Sequence, residues 1–240
     1  PQLPMRPPVL CAGCPHRASF YAIKQVAGED AVYSGDIGCY TLGGMAPLNA
    51  VDTCLCMGAG VNIAAGLNRV EPDRKHIAFL GDSTFFHSGI PGLINAVYNK
   101  ANITLVVLDN RTTAMTGHQD HPATGVTVQA EPTHKLDIAA VVKAVGINSV
   151  REVDPLNLTQ VETVLKEELV KDEPSVIIAR RPCALLKSTR FEDRYYVDWE
   201  LCTGCKRCIR VGCTGVHFLD EDKKAELLDS CVGCGICAQV

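Results

Sequence analysis

Three short, almost uninterrupted aliphatic runs constrain this chain more than any other feature: His76–Leu80, Ile103–Leu108 and Ser175–Ala179. Each is strand-length, rich in Val, Ile and Leu, and lacks the polar alternation of a strand with one wet face. Such strands must be covered on both sides, as in a parallel sheet between two helical layers. Ala31–Ser34 and Ser149–Val153 read as two further strands. Helical spacing occupies the intervals, at Arg17–Ala27, Gly58–Val70, Gly89–Lys100, Ile138–Val145 and Leu156–Val170. The repeated β–α alternation predicts an α/β fold with helices on both faces of a parallel sheet.

The chain's 240 residues, 47% of them hydrophobic, suffice for one main domain and a small appendage. A net charge of −4, few aromatics and no basic block argue against nucleic acid as a partner. No apolar run approaches the ~20 residues of a membrane span, and the N-terminal PQLPMRPP lacks the pattern of a secretory signal. The 13 cysteines are odd in number and clustered as CxxC units, which points to metal thiolates in a reducing compartment, the cytoplasm, rather than to disulfides. Residues 1–10 read as a Pro-rich linker, 11–187 as the main domain and 188–240 as a Cys-dense tail. The charged, aromatic stretch Lys187–Trp199 marks the boundary. Because the chain does not begin with Met, it reads as a fragment or a processed piece of a longer polypeptide.

Gly81-Asp82-Ser83 ends one predicted strand and Asn110 the next. In a parallel sheet both ends open onto one edge, where open α/β folds bind ligands. There Asp82 can offer a carboxylate oxygen, Asn110 an amide oxygen and Thr112 a backbone carbonyl to Mg²⁺. Two diphosphate oxygens and a water would complete its octahedral shell at ~2.1 Å. Gly81 lets the backbone approach phosphates, and a helix starting near Gly89, with Pro91 in its first turn, favours their charge. GDS, 26 residues, then Asn resembles the thiamine-diphosphate motif GDG…N, with Ser83 replacing the second Gly. As isolated dipeptides, GD and DN are also ordinary turns after strands.

Cys11 and Cys14 have CxxC spacing, compatible with zinc, a redox dithiol or a cluster. Cys39 and Cys183 each follow a predicted strand. If those strand ends share the same edge, four thiolates meet there and suit a 4Fe-4S cluster; the alternative is buried packing for Cys39 and Cys183. Cys54, Cys56 and Met57 are expected to pack at a helix start. His16 is expected either to meet the substrate or the cluster edge, or to be structural. Arg111–Gly125, with His118 and His121, reads as a mobile lid rather than a zinc pair.

Cys202, Cys205, Cys208 and Cys213, followed by Cys231, Cys234 and Cys237, form two CxxCxxC units. The spacing resembles bacterial two-cluster ferredoxins, where the fourth cysteine of a run crosses to the other cluster. Four residues precede Cys213 instead of three, and Thr214 stands where Pro is usual. In the crossed scheme Cys213, Cys231, Cys234 and Cys237 complete one 4Fe-4S set. Cys202, Cys205 and Cys208 lack a fourth ligand, expected at position 241, and are the segment expected to be least ordered.

The stretches CAGCPHRASFYAIK, GDIGCYTLG, GDSTFFHSGIPGLINAVYNKANITLVVLDN and RPCAL resemble the α subunits of indolepyruvate:ferredoxin oxidoreductases, within the 2-oxoacid:ferredoxin oxidoreductase family. The resemblance covers essentially the whole chain. It implies a thiamine-diphosphate-binding fold with a C-terminal two-cluster ferredoxin-like tail, and a cluster on Cys11, Cys14, Cys39 and Cys183 near the thiamine ring. The implied reaction is oxidative decarboxylation of aryl 2-oxoacids to acyl-CoA and CO₂, with ferredoxin as electron acceptor. The implied cofactors are thiamine diphosphate, Mg²⁺ and two to three 4Fe-4S clusters, with coenzyme A as co-substrate. The implied partners are a pyrimidine-binding domain upstream in the same polypeptide, carrying the Glu that activates the ring, and a smaller β subunit. A non-oxidative thiamine decarboxylase or synthase, and a purely electron-transferring module, are the rival classes.

Overall fold

A computed structural model of the chain describes residues 7–191 and 194–240. Strands β1 (Val32–Ser34), β2 (His76–Gly81), β3 (Thr104–Asp109), β4 (Ser149–Val153) and β5 (Ser175–Arg180) form one sheet in the order β1-β2-β3-β5-β4. Every neighbouring pair is parallel. All five lie within a residue of their predicted limits.

The helices are α1 (Pro15–Ala27), α2 (Ala59–Val70), α3 (Asp82–Thr84), α4 (Ile90–Tyr98), α5 (Ile138–Ala144) and α6 (Leu158–Leu169). Alternate residues of the central strands feed two separate cores. Ile77, Phe79, Val106, Leu108 and Ile177 pack with Phe20 and Ile23 of α1 and Val161 and Leu165 of α6. Ala78, Leu80, Leu105, Val107 and Ile178 pack with α2, α4 and α5 through Val61, Leu93 and Val142. Each fully buried aliphatic side chain contributes ~1.5–3 kcal/mol, which explains why these strands carry no polar face.

The helix after β2 differs from expectation. It does not start near Gly89 but directly after β2, as α3, and passes through a π turn at Phe85–Gly89 into α4. Pro91 has no N–H and cannot complete an α-helical bond one turn back. The wider turn, closed by Ile90 N–H to the Phe85 carbonyl, accommodates that break. The helix therefore presents its free N–H groups at the very end of β2.

Beyond the sheet, the tail forms helix α7 (Arg207–Arg210) and an antiparallel hairpin of β6 (Val216–Leu219) and β7 (Lys224–Leu227). Val211 and Ile236 join the core beneath α1 and α6. The Gln239 side chain accepts from Leu158 N (3.1 Å) and donates to the Leu156 carbonyl (2.8 Å). Of the predicted linker, residues 1–6 lie outside the described residues, as do 192–193 of the boundary stretch, while Leu10 is buried in the α1-side core. No helix of the described residues is long and apolar enough to cross a membrane.

Candidate functional site

Because the sheet is parallel, the C-terminal ends of β1, β2, β3 and β5 deliver Asp36, Asp82, Asn110 and Cys183 to one edge. Asp36 is fully buried, and its carboxylate accepts from Gly58 N (3.1 Å) and Gly81 N (3.0 Å). It thereby ties the start of α2 to the end of β2. Asp82, equally buried, accepts from Ser83 N through Oδ1 (2.9 Å) and from Arg111 N through Oδ2 (2.8 Å). Burial pushes its carboxyl pKa up, contact with His121 opposes this, and the Asp109 charge adds to it. His121 Nε2 lies 3.1 Å from Asp82 Oδ2 but outside hydrogen-bond geometry, so that buried nitrogen has no partner. A buried carboxylate beside one unpartnered ring nitrogen is chemistry that suits a hard cation or a phosphate arriving between the strand ends.

Arg111 adopts a left-handed backbone (φ 64°), a conformation costing on the order of 1–3 kcal/mol. Asp82 and Asp109, which both accept from its N–H, hold it there. Asn110 is the hub of the site. Its Oδ1 accepts from Thr112 N (3.3 Å), its Nδ2 donates to His16 Nε2 (3.1 Å), and its carbonyl accepts from Cys183 N (2.9 Å). An amide nitrogen can only donate, so Nε2 of His16 accepts and the ring is neutral. Burial agrees, lowering the His16 pKa to about 4. The His16 and Tyr40 rings lie 4.8 Å apart. A Cβ on Gly81 would stand 2.2 Å from the Tyr40 hydroxyl, so glycine is required at that position by Tyr40.

Two cavities flank Asn110. One of about 190 Å³ is lined by Tyr40, Met57, Ser83 and Thr113 among others. The other, of about 280 Å³, is lined by Cys11, Cys14, His16, Cys39 and Cys183. Cys39, Asn110, Ala114 and Met115 line both, forming the partition between them. The structure thus brings the four separated cysteines to one cavity, next to the Asp82–Asn110 edge. Burial raises the Cys14 thiol pKa to about 12 and also raises those of Cys39 and Cys183, the latter two further through neighbouring cysteines. Thiols so placed resist deprotonation alone and become thiolates readily only with a cationic centre among them.

In the tail, Cys213, Cys231, Cys234 and Cys237 line a third cavity with Gly13, Arg17 and Val232. Cys202, Cys205 and Cys208 do not line it. Backbone hydrogen bonds, from Ala225 and Arg207 respectively, lower the pKa of Cys202 and Cys205. Among the described residues, no three His, Cys, Asp or Glu side chains close on one point as around a single metal ion.

Some expectations are corrected. Cys54 and Cys56 are exposed rather than packed, and Met57 is 41% exposed on the wall of the smaller cavity, not in the core. They belong to the irregular segment leading to Gly58, whose left-handed turn (φ 82°) precedes α2 and leaves them outside the sheet's cover. His118 and His121, both read as part of the lid, lie at different places: His118 lines the cysteine cavity, while His121 is buried against Asp82. Asp36, Tyr40 and Arg17 were not singled out by sequence. Asp36 had a signal, since Gly35-Asp36 after β1 repeats Gly81-Asp82 after β2.

A family model described as thiamine pyrophosphate enzyme, C-terminal TPP binding domain, matches residues 36–179. The chain is 46% identical over 243 residues to the indolepyruvate oxidoreductase subunit IorA of Archaeoglobus fulgidus, covering 99% of this chain and 39% of that one. The same subunit of Thermococcus kodakarensis is 43% identical, with 99% and 40% covered. The chain thus spans about 40% of the length of the curated relatives it matches. Among solved structures, a 2-oxoglutarate:ferredoxin oxidoreductase from Magnetococcus marinus superposes with a TM-score of 0.65 at 17% identity, covering 77% of this chain and 67% of that one. A thiamine diphosphate-dependent 4-hydroxybenzoylformate decarboxylase from Rhodococcus jostii RHA1 gives 0.52 at 20% identity, covering 76% and 36%. The two superpositions show a shared fold.

Proposed function

Since the chain belongs to the thiamine pyrophosphate enzyme family and carries its C-terminal TPP-binding domain, we propose that it is the diphosphate-binding, electron-exporting part of an indolepyruvate:ferredoxin oxidoreductase. The observation that carries this reading is the partition itself. A cavity beside Asp82 and Asn110 shares Cys39 and Asn110 with a cavity holding four cysteines, so a cofactor ring in one would lie beside a cluster in the other. Close approach is what single-electron transfer between them needs.

In this reading Asp82, Asn110 and the Thr112 carbonyl hold Mg²⁺, and Gly81 and Ser83 meet the diphosphate at the free N–H groups of α3. Cys11, Cys14, Cys39 and Cys183 hold the proximal 4Fe-4S cluster. Cys213, Cys231, Cys234 and Cys237 hold a second, and Cys202, Cys205 and Cys208 supply three ligands of a third. Bound thiamine diphosphate supplies the carbon nucleophile and electron sink for decarboxylating a 2-oxoacid, and the clusters accept electrons singly. The chain's own part is positional. Asp36 fixes the two glycine-containing turns against each other, and neutral His16 holds the Asn110 amide so that its oxygen faces the Thr112 side. The domain division is 11–187 and a ferredoxin-like 188–240, preceded by a linker. The partners are an upstream pyrimidine-binding domain, a smaller β subunit, ferredoxin, coenzyme A and an aryl 2-oxoacid, in the cytoplasm.

The test is an iron, sulfide and thiamine count on the anaerobically purified complex, wild type and Asp82→Ala. Asp82→Ala is expected to lose thiamine and keep nearly all its iron. Unchanged thiamine would remove the magnesium assignment, and a wild type with thiamine but no iron would return the chain to the non-oxidative class. Iron without thiamine would leave the electron-transfer module.

A further inference from the structure

Arg17 lies in the first turn of α1, three residues after Cys14, and is 2% exposed. A cation there faces the positive end of the helix dipole, and an unpaired buried ion costs several kcal/mol. Among the described residues no carboxylate lies within ion-pair distance of it. Its terminal nitrogens donate only to backbone carbonyls, those of Leu10, Cys11 (3.4 Å), Val211 (3.4 Å) and Gly212. Its Nε has no partner at all. Carbonyl dipoles solvate a guanidinium but leave its charge uncancelled.

What surrounds that charge is informative. Arg17 lines the cavity of Cys213, Cys231, Cys234 and Cys237. The carbonyls it holds belong to the loop that opens with Cys11 and to the turn just before Cys213. Ala12 and Gly13, between the ligands Cys11 and Cys14, line the same cavity. The cation therefore bonds both to the loop of the first cysteine set and to the turn that enters the second. A cluster with four thiolate ligands is anionic, gains one negative charge on reduction, and responds to fixed charge beside it.

We propose that Arg17 is the fixed counter-charge of the cluster held by Cys213, Cys231, Cys234 and Cys237, and that it raises that cluster's reduction potential. The same charge also bears on Cys14 of the other set, whose thiol pKa it lowers against the larger effect of burial. The inference rests on the reading above that both sets hold 4Fe-4S clusters. It adds a positioning arginine that bears on the potential of the cluster in the Cys213 set.

The experiment is an anaerobic redox titration of the holoenzyme followed by EPR, with iron content measured in parallel. Arg17→Gln is expected to lower the midpoint of one cluster so that its reduced-to-oxidised ratio at fixed potential falls about tenfold, equivalent to ~59 mV for one electron. Arg17→Lys, which keeps the charge but loses the guanidinium fork, is expected to retain the wild-type midpoint. A merely structural arginine would give equal iron loss in both variants and unmoved midpoints, and that overturns the proposal. Ala12→Glu guards against a misfolded Gln variant: it places an opposing charge on the same cavity while Arg17 itself is kept, and is expected to lower the same midpoint, with Ala12→Gln unchanged. An unmoved midpoint in Ala12→Glu overturns the proposal. A wild type with no cluster signal and no iron fails earlier, on the function reading itself.

Discussion

The sheet and the tail are held together by different means. In β2, β3 and β5 nearly every residue is buried, and the helices on each face complete two cores. In 202–240 the buried apolar side chains are Val211, Ala225 and Ile236, while Leu228 is 40% exposed. Two of those three are buried only by joining the core under α1 and α6. A segment that small cannot stabilise itself by apolar burial, so in the proposed function its seven cysteines are its structural resource, through the metal they would bind. The same residue type would then serve function in the sheet domain and both function and folding in the tail.

That contrast can be broken most decisively by removing iron. Anaerobic chelation is expected to lower amide-exchange protection in β6 and β7 at least a hundredfold, ~2.7 kcal/mol in ligand-linked stability, and to leave β2, β3 and β5 nearly unchanged. If both regions open together, the shared Val211 and Ile236 contacts make them one cooperative unit and the contrast fails. Of similar size is Leu108→Ala, a fully buried position, expected to cost about 2–5 kcal/mol in denaturant unfolding. Its counterpart Leu201→Ala, 78% exposed in the tail region, is expected to stay within about 0.5 kcal/mol. Equal losses would mean that tail packing matters as much as sheet packing.

Smaller is Gly81→Ala, whose methyl meets Tyr40. Overpacking there is expected to cost about 1–3 kcal/mol, and Tyr40→Ala in the same chain is expected to recover part of it. Additive losses in the double variant would show that Tyr40 is not what requires the glycine. Smallest of all, Cys54→Ser with Cys56→Ser is expected to leave iron content and stability unaltered, because both thiols are exposed and line none of the three cysteine or thiamine-side cavities described above. Lost iron in that variant would add a cysteine pair to the cluster sites.

Much was legible in the chain because local patterns were enough. Aliphatic runs with no polar alternation require cover on both faces, so the parallel sheet and its strand limits follow from them directly. Parallel strands then place their C-terminal ends on one edge, so Asp82, Asn110, Cys39 and Cys183 were predicted neighbours despite their separation in sequence. Tertiary structure alone decided the rest. The π turn depends on how a proline is absorbed when a helix must start hard against β2. The hydrogen bonds of Asp36 span 22 and 45 residues, and the Arg17 contact with the tail spans 194. No periodicity registers such contacts, because they depend on where whole elements dock. The exposure of Cys54, Cys56 and Met57 has the same origin: a small apolar residue reads alike in sequence whether the fold covers it or leaves it at a cavity's rim.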